Sequence, residues 1–222
     1  CRKETSGERR AGIAPVVDPV KLGKETNMNT YDRIMGIGTK MTDMDASTYQ
    51  GAFIGKISYT TTKEAAEALH ITYEYGDVKE NAFMYILSIL GKVDGVEAPV
   101  EKMTIPLVKA QAAGDKSTEA EIKRTPKAEY ENEEPFHTFS KEEVYSFSRE
   151  TGDENKIHLT DHPVVQGMLL VRTAACKQEG LARLDVKFTE PCYAEEELYW
   201  GFNGRENVLY ADGYVKASFK IK

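Results

Sequence analysis

The stretch TGDENKIH, Thr151 to His158, sets a carboxylate, Asp153, and an imidazole, His158, five positions apart, with the amide of Asn155 between them. A carboxylate and an imidazole that share one water can move its protons in both directions, one group acting as base while the other acts as acid. Asn155 would orient that water or tie down the loop. Gly-Asp and Asn are also ordinary turn residues, so spacing alone leaves a plain turn or helix-capping role open. Nine residues beyond His158, Gly167 falls at the predicted start of an apolar helix, QGMLLVRTAACK. The first N–H groups of a helix have no helical partner and the dipole there favours negative charge, so an oxygen that gains charge during a reaction can be held at such a place. Glycine admits close approach, although tight packing alone would also explain it.

The elements around these residues follow from local patterning. Ser140 with Glu143 three positions later forms a capping box. Val144 and Phe147 mark one apolar face, and Gly152 supplies a stop, so a short helix should end immediately before the polar octet. The helix from about Gln166 to Lys177 is apolar enough to be buried on most sides. After Gly180 the period changes to two. Leu184, Val186 and Phe188 alternate with polar residues in RLDVKF, as do Val215, Ala217, Phe219 and Ile221 in YVKASFKIK, and EELYWGF and NVLYADG flank a turn signal at Asn203–Gly204. The order is helix, loop, buried helix, then antiparallel strands.

Sliding the chain against itself at an offset of 129 aligns residues 22–69 with 151–198, with ten identities in 48 positions, among them Gly23/Gly152, Gly38/Gly167 and Gly51/Gly180. This predicts an internal duplication. The first copy has Lys24 opposite Asp153 and Asn29 opposite His158, so it lacks both base and acid. Residues 96–134, rich in Pro and acidic residues, read as a connector with one strand at MTIPLVKA.

Composition bounds the function. The 222 residues carry a net charge of −7, which disfavours general nucleic-acid binding and fits simple solubility. No apolar run reaches the ~20 residues that span a bilayer, and no charged-then-apolar leader opens the chain, so neither a membrane anchor nor a signal peptide is expected. Three cysteines with neither metal-ligand spacing nor disulfide density fit a reducing cytoplasm. No metal, nucleotide or redox cofactor is expected from the motifs. His70 and His162 lack metal-ligand spacing, and His137 is expected to cap or pack. Trp200, Tyr199 and Phe202 are expected in sheet packing and Cys176 in the core of the apolar helix, while Arg2, Lys3, Arg9 and Arg10 read as a solvated tail.

FSKEEVYSFSRETGDENKIHLTDHPVVQGMLL resembles the catalytic core of the MaoC-like dehydratases, the hydratase 2 type of (R)-specific enoyl-CoA hydratase, whose pattern is G-D-x-N-P-[IL]-H followed by H-G-M-L at the head of a central helix. VKFTEPCYAEEEL is similar to that family's next strand and turn. The resemblance covers about Phe136 to Lys222 and implies an α+β hot-dog fold, an antiparallel sheet wrapped around a central helix. With the duplication it implies two hot-dog repeats in one chain: a degenerate repeat over 1–95, a connector over 96–134 and a catalytic repeat over 135–222. It further implies that Asp153 and His158 are the catalytic pair and that Asn155, Gly167, Gln166 and Met168 meet the substrate, the Gly167 N–H receiving the thioester oxygen. The implied reaction is reversible hydration of a trans-2-enoyl thioester carried on CoA or acyl carrier protein. The chain would be a pseudo-dimer, with further assembly of two chains left open. Lys156 stands in place of the family's Pro, Gln166 in place of its His, and the segment between His158 and Gly167 is short. Two rivals remain: a hot-dog acyl thioesterase, and a non-catalytic protein that binds acyl thioesters.

Overall fold

The computed structural model describes residues 28–109, 124–202, 204 and 206–222. The N-terminal half runs α1 (Thr30–Thr42), α2 (Ala46–Tyr49), β1 (Phe53–Ile54), β2 (Lys56–Thr61), α3 (Lys63–Glu67), β3 (Thr72–Tyr75), β4 (Lys79–Glu80), β5 (Met84–Lys92) and β6 (Glu101–Val108). The C-terminal half runs β7 (Asn132–His137), α4 (Lys141–Thr151), a 3-10 turn (Lys156–His158), α5 (Gly167–Cys176), β8 (Arg183–Phe188), β9 (Leu198–Phe202), β10 (Asn207–Ala211) and β11 (Tyr214–Ile221). All strands pair antiparallel in one sheet, in the order β3-β5-β6-β2-β8-β11-β10-β9-β7, with β1 on β6 and β4 on β5.

That order reads outward from a seam. From β2 the N-terminal half continues through β6, β5 and β3; from β8 the C-terminal half continues through β11, β10 and β9. At the seam Ile57 faces Val186 and Tyr59 faces Leu184, all four fully buried, so the two halves share a single core. The architecture is a double hot-dog, an α+β fold in which one antiparallel sheet carries two central helices, α1 and α5, packed against each other.

Local chemistry accounts for the elements that hold the site. The Ser140/Glu143 capping box is formed on both sides, and α4 ends at Gly152 with φ 74°, the left-handed conformation that glycine adopts without Cβ strain. Helix α5 buries Met168, Leu169, Leu170, Val171, Ala174 and Ala175, a stripe too wide for a surface helix, because the sheet lies on one side and Ile34 and Ile37 of α1 are in the same core. Asp212–Gly213, both at positive φ, turns β10 into β11. Trp200 stacks on Phe136 at 5.0 Å, and Tyr199 on Tyr210, as expected for sheet packing.

Three expectations change. The gap-free offset of 129 is not the structural register: α1 starts eight residues earlier and β2 two residues later than it places them. Gly38 therefore lies inside α1, against Thr151 and Phe147, and is not the counterpart of Gly167 at a helix start. The N-terminal half gains its extra length through α2 and β1, which have no equivalent between α5 and β8. Strand β6 lies at the MTIPLVKA signal, but pairs over its whole length with β5 and also joins β2, so it is the counterpart of β11 and a full member of the N-terminal half of the sheet. Cys176 is exposed, since the last turn of α5 leaves the sheet; Cys192 is the buried cysteine. Lys24, Gly23, Asn203 and the basic residues Arg2, Lys3, Arg9 and Arg10 lie outside the described residues.

Candidate active site

Asp153 follows the left-handed Gly152 that ends α4, and its N–H still donates to Ser148 O (2.9 Å), so the helix end aims its side chain. Its Oδ1 accepts from the Asn155 N–H (3.0 Å), which leaves Oδ2 for other work. His158 closes the 3-10 turn, and its Nδ1 lies 2.6 Å from Val164 O. A carbonyl only accepts, so Nδ1 carries the hydrogen and Nε2 presents a lone pair when the ring is neutral. Burial holds the imidazole below the usual histidine value, against opposing pulls from Asp153 and the Val164 carbonyl. His158 Nε2 lies 3.6 Å from Asp153 Oδ2, too long for a direct hydrogen bond. A separation of that length is one that a single water hydrogen-bonded to both acceptors would bridge.

Both groups open onto a cavity of about 390 Å3. Gly167 lies on its wall as the first residue of α5. Gln166, the N-cap, makes no side-chain capping bond, so the leading N–H groups of α5 are uncapped by it. A Cβ at Gly167 would stand 3.2 Å from Phe188 Cζ and 3.4 Å from Ile54 Cδ1, which gives glycine a packing reason as well. The rest of the wall is mainly apolar and comes from both halves, with Met41, Met44, Phe53, Ile54, Leu87 and Leu107 from the N-terminal one. Cys192 also lines the cavity, but burial pushes its thiol up, which keeps it a thiol and a poor nucleophile.

The six residues singled out from sequence all line this cavity, though not in equivalent ways. The Asn155 amide is held by protein: Oδ1 accepts from the Gly51 N–H (3.0 Å) and Nδ2 donates to Ala52 O (3.2 Å). Gln166 Nε2 turns back to α4, donating to Val144 O (2.9 Å) and Ser148 Oγ (2.8 Å), while its Oε1 is buried without a hydrogen-bond partner. Met168 is fully buried. The Lys156 side chain is exposed, so its charge stays in solvent. His70 and His162 are exposed, and His137 does not cap α4 but packs beside its start, Nε2 2.8 Å from Glu143 Oε1 and the ring edge-on to Phe139. Among the described residues no group of three His, Cys, Asp or Glu could hold a metal ion.

Sequence reading misses the residues supplied by the N-terminal half, Gln50, Gly51 and Ala52 above all, because no local pattern reports a contact across about a hundred positions. It also misses what fills the matching position in that half. At the cavity end of the seam the Phe188 N–H donates to Gly55 O (3.0 Å); at the other end the Thr61 N–H donates to Ala182 O (3.0 Å), the same contact with the halves exchanged. Beside Thr61, at the start of α1, sits a buried network. Arg33 donates to Thr61 Oγ1 (2.9 Å), Glu101 Oε1 (3.1 Å) and Thr30 Oγ1 (3.2 Å), and the phenols of Tyr59 and Tyr73 donate to Glu101. Burial, then the Glu101 charge, pushes both phenols far up, so they stay donors. Where the C-terminal half has a cavity, the N-terminal half has an ion pair.

No family model and no curated protein matches the sequence. Solved structures do. HtdX from Mycobacterium tuberculosis aligns over 87% of this chain and 86% of its own with a TM-score of 0.59 at 15% identity. A MaoC-like dehydratase aligns over 87% and 82% with a TM-score of 0.56 at 12% identity. The 12:0-ACP thioesterase from Umbellularia californica aligns over 80% and 76% with a TM-score of 0.50 at 9% identity. At these identities the likeness establishes the fold: two hot-dog halves in one chain, the arrangement that the seam and the strand order display.

Proposed function

We propose that this chain is a hydro-lyase that adds water reversibly across the double bond of a trans-2-enoyl thioester, with CoA or an acyl carrier protein as the thiol carrier. The observation that carries the reading is a convergence in one largely apolar cavity. Asp153 Oδ2 and the neutral His158 Nε2 stand 3.6 Å apart, beside an uncapped helix N-terminus at Gly167.

Both groups face the shared water as acceptors, so each accepts a hydrogen bond from one of its O–H groups. The water oxygen bonds to the β-carbon, one O–H bond breaks, and that proton passes to the Asp153–His158 pair. The enolate charge moves onto the thioester oxygen, where the N-terminal N–H groups of α5 stabilise it in a low-dielectric setting. The pair then returns a proton to the α-carbon, which leaves a 3-hydroxyacyl thioester and the site in its starting state. Dehydration is the reverse. The apolar wall suits an acyl chain, and its contributions from the N-terminal half give that half a part in chain selection.

Loss of the enoyl-thioester absorbance of crotonyl-CoA tests this. Asp153→Asn and His158→Ala should each lower turnover at least about a hundredfold while leaving the fold intact by circular dichroism, the usual scale for a general acid or base. Undiminished turnover in both variants would overturn the assignment. Release of free thiol from a saturated acyl-CoA, without enoyl hydration, would instead select the thioesterase reading; binding without either reaction would select the non-catalytic one.

A further inference from the structure

We infer that Gln50, from the half without a catalytic pair, is a positioning residue that fixes the spacing of Asp153 and His158. The inference rests on the acid/base roles proposed for those two groups. Gln50 Nε2 donates to Glu154 O (2.7 Å), and its Oε1 accepts from the Lys156 N–H (3.3 Å). The exchange is reciprocal: the amide of Asn155, between those two residues, bonds to the Gly51 N–H and Ala52 O on the other side. Two short segments from different halves thus clasp each other through four hydrogen bonds, each side-chain amide reading the backbone of the opposite segment.

The clasp lies between the reacting groups. Asp153 is anchored from before by α4, and His158 is anchored from after by Val164. The segment Glu154–Lys156 makes up all but one residue, Ile157, of the covalent path between Asp153 and His158, so its course sets the gap between carboxylate and imidazole. Gln50 holds both ends of that segment. Its own place is fixed by the turn after α2, where the Ala52 N–H donates to Tyr49 O (2.9 Å) and Gly51 sits at φ 69°, a conformation that favours glycine. Lys156, where a proline would have no N–H, supplies the donor that Gln50 uses.

His158 is buried two residues past the segment that the clasp holds, and the groups that act on its ring are Asp153 and the Val164 carbonyl. Loosening it should therefore act on the imidazole as well as on the geometry. In Gln50→Ala, kcat for crotonyl-CoA hydration should fall about tenfold to a hundredfold with KM changed less than about threefold, the scale of a displaced catalytic group. The His158 titration, followed by NMR of its ring protons, should move up towards the ordinary histidine value. Gln50→Glu keeps the acceptor for the Lys156 N–H but sets a second acceptor against Glu154 O, so it should lose activity as well. A kcat and a His158 titration both unchanged in Gln50→Ala would overturn the inference. So would a loss of activity matched by a loss of folded protein, with the folded fraction titrating as wild type. The NMR arm needs no turnover: if the wild type hydrates no enoyl thioester, the hydratase reading fails, and the titration still decides whether Gln50 positions the pair.

Discussion

The hydrogen on His158 Nδ1 decides what the site can do. Its bond to Val164 O leaves Nε2 as an acceptor facing the Asp153 carboxylate, so only the neutral ring can take a hydrogen from a shared water. Burial holds the folded-state value below the ordinary 6.5. The acid limb of kcat/KM for enoyl-thioester hydration should accordingly fall below pH 6.5, and a pH–rate profile checks this. The sign for stability follows from the same shift. The unfolded chain binds a proton at His158 before the folded one does, so stability should be lost as pH falls from about 6.5 towards the depressed value. Urea midpoints at pH 7 and pH 5, compared between wild type and His158→Ala, isolate that contribution. At this scale the positions of Asp153 just past a helix stop and of Gly167 at a helix start are legible in the sequence, because a capping box, a stop glycine and an apolar run are local signals. The inward turn of Gln166 depends on Val144 O and Ser148 Oγ, about twenty positions away, and nothing in its neighbours announces it.

Among the elements, α4 and α5 and the strands β8 to β11 were legible, since capping box, left-handed glycine and two-residue alternation are written into short windows. Helix α1 was not, although its N-cap Asn29 is an ordinary one, because an offset tied to the glycines drew attention to Gly38 in its middle. Beside the core contacts of Ile34 and Ile37, α1 is tied to the sheet by the Arg33–Glu101 pair, whose members are 68 positions apart and almost fully buried. Arg33 Nε is also buried without a partner, so this ion pair is incompletely satisfied even when intact. Replacing one member leaves the other as an uncompensated buried charge, which costs more than the intact pair contributes. Glu101→Gln should destabilise the protein by about 3–5 kcal/mol in urea unfolding. The His158 titration should stay where it is, because the network lies at the opposite end of the seam from the cavity. A stability change below about 1 kcal/mol would show that the network is not the anchor that its burial implies.

For the molecule as a whole, the sequence predicted two hot-dog repeats, and the strand order displays them, mirrored about β2 and β8. The reach of the N-terminal half into the other half's site was beyond it, since the contacts of Gln50 and Asn155 span about a hundred positions. The two ends of the seam differ: one holds a cavity with a carboxylate and an imidazole, the other a packed ion pair. The seam itself has a kinetic meaning. Hot-dog halves carried on separate polypeptides meet at a rate and to an extent set by their concentration, whereas here β2 and β8 belong to one polypeptide and their encounter is intramolecular. The contacts between residues 50–52 and 154–156 are likewise made within one polypeptide. Specific activity should stay constant from micromolar to sub-nanomolar protein, and a progressive loss in that range would mean that a second chain completes the site.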